Sequence, residues 1–242
     1  DEAGVSVEFG KPVNEYLTAY LKTRLAYVWL DEREDFGEDL DSYPVATVTL
    51  RGVNDTRDSK KWPTEGTVKS AGVEAGFADG ALLKLSGGYQ TYNKVRDNLI
   101  YALNVEGGFM PIPAEDVGIT ERLFMGGTED LRGFAHRGAG PSSDEVPIGG
   151  STKLLVQNEL RYTILDNLGL GQKAIPLHGV TFVDLGMLGR DPLEIGTPRA
   201  SVGTGIRVDM QQLNVGVDLA LPLLKQDDDH TQFLHFKVSS AF

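Results

Sequence analysis

Residues 17–29 read Leu17-Thr18-Ala19-Tyr20-Leu21-Lys22-Thr23-Arg24-Leu25-Ala26-Tyr27-Val28-Trp29. Leu17, Ala19, Leu21, Leu25, Tyr27 and Trp29 fall on one parity, and Lys22 and Arg24 on the other. Side chains alternate across a strand, so this stretch has one apolar and one polar face. A helix would place Lys22 and Arg24 inside its apolar stripe. The period is therefore two.

The same pattern recurs outward along the chain. Leu99, Tyr101, Leu103, Val105 and Phe109 oppose Asn98, Asn104 and Glu106. Leu213, Val215, Val217, Leu219 and Leu221 oppose Asn214, Gly216 and Asp218. Leu234, Phe236, Val238 and Phe242 oppose His235, Lys237 and Ser239. The alternation predicts about eleven strands, at 3–10, 15–30, 43–54, 65–77, 81–92, 96–110, 153–165, 176–187, 199–210, 213–222 and 231–242. Many reach the nine to eleven residues that a tilted strand needs to cross a bilayer. Asp79-Gly80 and Gln211-Gln212 read as short turns, and Asp31 to Asp41 and Gln226 to His230 as long charged loops. Short turns at one end and long loops at the other are expected of outer-membrane barrels. Tyr16, Trp29, Tyr92, Phe109 and Phe242 stand near strand ends, as interfacial girdles or as ordinary strand-end packing. The fold class read here is all-β: a transmembrane antiparallel barrel with eleven or twelve strands visible.

Composition sets the bounds. The chain has 242 residues, 40% of them apolar, and a formal net charge of −12. That acidity argues against nucleic acid as a partner, because phosphate contacts need a Lys/Arg surface. With no cysteine there is no disulfide framework and no thiol nucleophile. No apolar run is long enough for a transmembrane helix, which leaves strands free to span. Residue 1 begins in mid-pattern, so a signal peptide is expected to have been removed.

Residues 111–150 break the pattern. The stretch is too long for a hairpin turn and rich in glycine, proline and charge, and such loops are usually functional or disordered. Its centre reads Phe124-Met125-Gly126-Gly127-Thr128-Glu129-Asp130-Leu131-Arg132-Gly133-Phe134. This segment resembles the long loop of the BamA-like outer-membrane assembly and two-partner-secretion superfamily. Four further segments agree in order: Asn54-Asp55-Thr56-Arg57-Asp58 with Pro63-Thr64-Glu65-Gly66-Thr67; Gly149 to Leu154 with Glu159-Leu160-Arg161-Tyr162; Phe182-Val183-Asp184-Leu185-Gly186; and the terminal strand ending in Phe242.

The resemblance implies a single barrel domain over 1–242, forming the C-terminal part of a sixteen-stranded barrel, with 111–150 inserted in the lumen. It puts Glu159 and Asp184 on the lumen side. A charged guanidinium inside a barrel needs carboxylates to offset its desolvation, so Arg132 is expected to bond Asp184 and Glu159 and pin the loop. A solvated Arg132 on an exposed loop is the competing reading. Gly133 would serve close approach or positive φ, and Phe134 would fill an apolar pocket. Leu234, Phe236, Val238 and Phe242 belong to the terminal strand, half of the seam that relatives use to template incoming strands.

The implied function is insertion of other β-barrel proteins into a bacterial outer membrane, in preference to an organelle membrane. The implied partners are the lipid bilayer, unfolded outer-membrane clients and accessory lipoproteins. The alternative within the superfamily is a polypeptide-secreting transporter, or the membrane anchor of a fused effector. A passive pore and a water-soluble sandwich or carrier barrel are weaker readings. No enzyme site is expected, nor any cofactor or metal centre. His136, His178, His230 and His235 lack zinc-ligand spacing, and the loop carboxylates Asp227, Asp228 and Asp229 read as a solvated run. Asp1 aligns several strands into the family barrel, so either a longer protein or a smaller barrel of even strand number is expected.

Overall fold

A computed structural model describes residues 1–29, 42–169, 175–210 and 213–240. The Asp31–Asp41 loop, the Gln211-Gln212 turn and Phe242 lie outside the described residues. Among the described residues eleven strands form one antiparallel sheet: β1 (Glu2–Pro12), β2 (Leu17–Val28), β3 (Tyr43–Asp55), β4 (Gly66–Ala78), β5 (Ala81–Arg96), β6 (Leu99–Phe109), β7 (Thr152–Leu165), β8 (Leu177–Gly189), β9 (Arg199–Met210), β10 (Leu213–Leu224) and β11 (Leu234–Ser240). Each strand pairs with its neighbours in sequence, so the sheet is a simple meander. Among the described residues, β1 and β11 pair on one side only.

Alternation places the apolar residues outside. In β2, Leu21, Leu25 and Tyr27 are exposed, while Lys22 and Arg24 are half-buried. Val183 and Leu185 of β8 are exposed, and Phe182 and Asp184 between and beside them are buried. A water-soluble sheet buries its apolar face. Here the outward apolar residues suit lipid, and the inward face carries the charge, as in membrane barrels.

The segment between β6 and β7 lies against the inner face. Two 3-10 turns, Ala114–Asp116 and Ile119–Glu121, open it, and a ribbon of Ser142–Ser143 with Val146–Pro147 follows. Its neck is closed by reciprocal backbone bonds between Leu123 and Gly150, of 2.9 and 2.8 Å. The largest apolar cluster joins loop to wall: Met125, Leu131, Phe134 and Ala139 pack on Leu155 of β7 and Leu188 of β8. Among the described residues the sheet has no second layer of its own, and the inserted loop supplies one.

One expectation is corrected, and one open reading is decided. Antiparallel connectivity places the Asp79-Gly80 turn at the same end as the inserted loop, not among the short turns of the opposite end. A Cβ on Gly80 would fall 2.2 Å from the Asp116 carbonyl oxygen, so the turn is short where the loop passes over it. Of the two readings of Tyr92, strand-end packing holds and the girdle does not. It is buried on the inner face, under the Arg161 guanidinium at 5.2 Å. Tyr16 and Trp29 are exposed near strand ends, where girdle residues stand.

An arginine at Val183, midway along β8 on the outer face, is expected to cost about 2–4 kcal/mol of folding stability in lipid. Asn93→Arg, exposed near the end of β5, is expected to cost about 0–1 kcal/mol. Urea titrations of the protein in vesicles measure both, and equal costs would refute the lipid-facing assignment.

Candidate functional site

Arg132 extends from the loop onto the inner wall and is 3% exposed. Its Nε and Nη2 donate to the two oxygens of Asp184, both at 2.7 Å. Its Nη1 donates to Glu159 Oε1 at 2.6 Å and lies 3.8 Å from Asp218 Oδ2. The guanidinium stacks 3.5 Å over the Phe182 ring. A planar fork of donors fits a carboxylate in two-point contact and stacks on an aromatic face, which an ammonium cannot do. Strand geometry sets up the site: Glu159 of β7 pairs with Phe182 of β8, and Asp184 follows Phe182 by two on the same face.

Two further arginines complete the charge balance. Arg161 binds Glu159 Oε2 through Nε at 2.7 Å and Nη2 at 2.6 Å. Arg207 of β9 grips both oxygens of Asp218 of β10, at 2.6 and 2.7 Å. Arg132, Arg161 and Arg207 thus face Glu159, Asp184 and Asp218, three positive against three negative. A buried network of this kind is tolerable because it is balanced and hydrogen-bonded.

Gly133 adopts φ +91°, in the left-handed region that favours glycine. Its N–H donates to Nε2 of His235 at 2.9 Å, and its carbonyl accepts from Gln232 N–H at 3.0 Å. The His235 Nδ1 faces Thr128 Oγ1 at 3.3 Å. Phe134 is fully buried and bridges to Thr231. Lys237 of β11 reaches Glu129 at 2.6 Å. Beside the latch, Lys153 binds Asp130 at 2.5 Å, while burial pushes the Asp130 carboxyl above its usual range.

The structure therefore brings together Arg132, Gly133, Phe134, Glu159 and Asp184. Leu234, Phe236 and Val238 stand elsewhere, on the outer face of β11 and exposed. Sequence reasoning missed Asp218, Arg207 and His235 as partners. The signal for all three was their place on the polar parity of β9, β10 and β11. A lumen cavity of about 370 Å³ borders the network, lined by Trp62, Tyr92, Arg161 and His178 among others. Trp62, from the β3–β4 connection, stacks on His178 at 3.9 Å. Among the described residues, no group of His, Asp and Glu could hold a metal ion.

The Omp85 superfamily domain profile matches residues 1–242. The outer membrane protein assembly factor BamA of Nitratidesulfovibrio vulgaris is 30% identical over 200 residues, covering 76% of this chain and 24% of that protein. The crystal structure of BamA from Haemophilus ducreyi lacking POTRA domains 1–3 superposes with a TM-score of 0.77 at 16% identity. That match covers 99% of this chain and 54% of the solved one, and supports the likeness of fold. The chain thus spans about a quarter of the first relative and about half of the second.

Arg132→Ala strands Asp184 and Glu159 without their loop counterion, a loss of about 3–5 kcal/mol for a buried pair. The loop is then expected to be cut by protease in vesicle-embedded protein under conditions that spare the parent. Arg132→Lys keeps the charge but not the fork, and is expected to fall between the two. Unchanged protection in Arg132→Ala would refute the pinning.

Proposed function

The chain belongs to the Omp85 superfamily, and from that premise we propose that residues 1–242 are the barrel domain of a bacterial outer-membrane protein assembly factor, with 111–150 as its lumen loop. Its substrates are unfolded outer-membrane β-barrel proteins, and its working medium is the lipid bilayer. The observation that carries this reading is the loop held against the wall by the Arg132 network and against the inner face of β11 by the Gly133–His235 bond, in a chain of this superfamily.

An unpaired strand edge presents a row of N–H and C=O groups that can pair with an incoming strand. In hydrocarbon such groups cannot be left unsatisfied, so a client strand that meets the edge gains its hydrogen bonds there. Strand β11 is the strand that makes this exchange on the proposed reading. Leu234, Phe236 and Val238 keep its outer face in lipid, and Phe242 ends the same alternation. Arg132, Gly133, Phe134, Glu159 and Asp184 hold the loop, and with it the inner face of β11, in place. No bond is made or broken in the client, so no catalytic residue is required.

Residues 1–242 contain no cysteine, so once any cysteine elsewhere in the full-length protein is replaced, single-cysteine cross-linking reports one position. With Val238→Cys in the full-length protein in vesicles, disulfides to cysteines in the terminal strand of a folding client are expected, together with faster client folding. Clients that fold equally fast without the protein and never cross-link would overturn the proposal.

A further inference from the structure

The loop meets the wall at a second place, along β2, β3 and β5 rather than β7, β8 and β10. Glu121, at the end of the second 3-10 turn, is 4% exposed. Its Oε1 accepts from Arg24 Nη1 of β2 at 2.7 Å, and its Oε2 lies 3.6 Å from Lys84 Nζ of β5. Thr120 next to it donates its N–H to Tyr43 Oη of β3 at 3.2 Å, and their hydroxyls are 2.8 Å apart. Gly118 N–H donates to the Ala78 carbonyl at 2.9 Å. Val117 is buried with Leu82 and Met110.

This contact reverses the polarity of the latch. At Arg132 the loop supplies the cation and the wall the anions. At Glu121 the loop supplies the anion and the wall the cations. The segment between the two is held stiff. Arg122 spans it, donating to the Val117 carbonyl at 2.9 Å and the Ile148 carbonyl at 3.1 Å, and the Leu123–Gly150 bonds close the neck. A carboxylate this buried is retained only where counterions are fixed around it. A loop that needed one wall alone would have no use for them.

We propose that Glu121 is a second, separately releasable foot of the loop, a positioning residue that holds the β2–β5 wall against it. The loop is then a strut across the lumen between the two halves of the sheet, and loss of the Glu121 foot opens an ion path along β2–β5 while the Arg132 latch stays shut. The inference rests on the loop being pinned in the lumen, as in the proposed function.

The test uses the full-length protein in bilayers, with spin labels at Asp116→Cys and His136→Cys in separate samples. Glu121→Gln is expected to raise single-channel conductance at least threefold and to mobilise the label at 116, with the label at 136 unchanged. An unchanged label at 116, an unchanged conductance, or loosening of both labels together would overturn the separate foot. A label at 136 that is mobile before any substitution would instead sink the pinned-loop reading itself. If Glu121→Gln fails to fold, Lys84→Gln carries the same comparison, with the same outcomes deciding.

Discussion

A guanidinium nearly sealed from solvent must carry its counterions with it, and Arg132 finds them on three strands. Asp184 lies on β8, Glu159 on β7, and Asp218 on β10. One loop side chain therefore ties together inner-face positions that are far apart in sequence. Displacing any one of these strands by a residue would turn its carboxylate outward, because side-chain parity flips with register. Arg161 and Arg207 then become necessary. Without them, three buried carboxylates would face one cation. The apolar contacts follow the same geometry: Phe134 reaches its pocket because Arg132 and Gly133 hold the loop at that depth.

The charge inside and the lipid-facing surface outside come from one alternation. After inward Arg24, Glu159 and Asp184 the next residues, Leu25, Leu160 and Leu185, are exposed on the outer face. Exposed Leu219 follows buried Asp218, and exposed Phe236 follows buried His235. In water this arrangement would leave a broad apolar belt wet. In a bilayer the belt is solvated by acyl chains, and the buried ions are screened from those chains by the thickness of the sheet. The inserted loop takes the place of a second layer, which a membrane barrel otherwise replaces with water or a plug.

The strands were legible because period two is a local signal, and the eleven predicted ranges each overlap one observed strand. The Arg132–Asp184–Glu159 contact was legible only through the likeness to a family, since nothing in local spacing joins residue 132 to residue 184. Asp218, Arg207 and His235 were on the correct parity but had no stated partner. Pairing across a curved sheet depends on which strands lie side by side around the loop, and periodicity does not encode that. Tyr92 was left open between girdle and strand-end packing, and its parity with Gln90 and Leu82 decides for the inside. Glu121 was invisible as a site because its partners, Arg24 and Lys84, come from strands far earlier in the chain.

A factor that adds strands to other proteins must keep one edge labile and the rest of its wall rigid, and local stability in proteins varies enough to allow this. On the proposed reading the division falls between β10 and β11. Behind it, the balanced ion network and the Phe134 cluster resist opening, since freeing any member exposes an unpaired charge or a cavity. At β11 the holding contacts are of another kind. They are the backbone bonds to β10, the Gly133–His235 bond and the surface Lys237–Glu129 pair. Exposed ion pairs of that sort contribute little, and backbone bonds can be traded one for one with a client strand at small net cost. On that reading the exchange is confined to β11, and the loop that packs on the wall would also limit how far that strand swings inward.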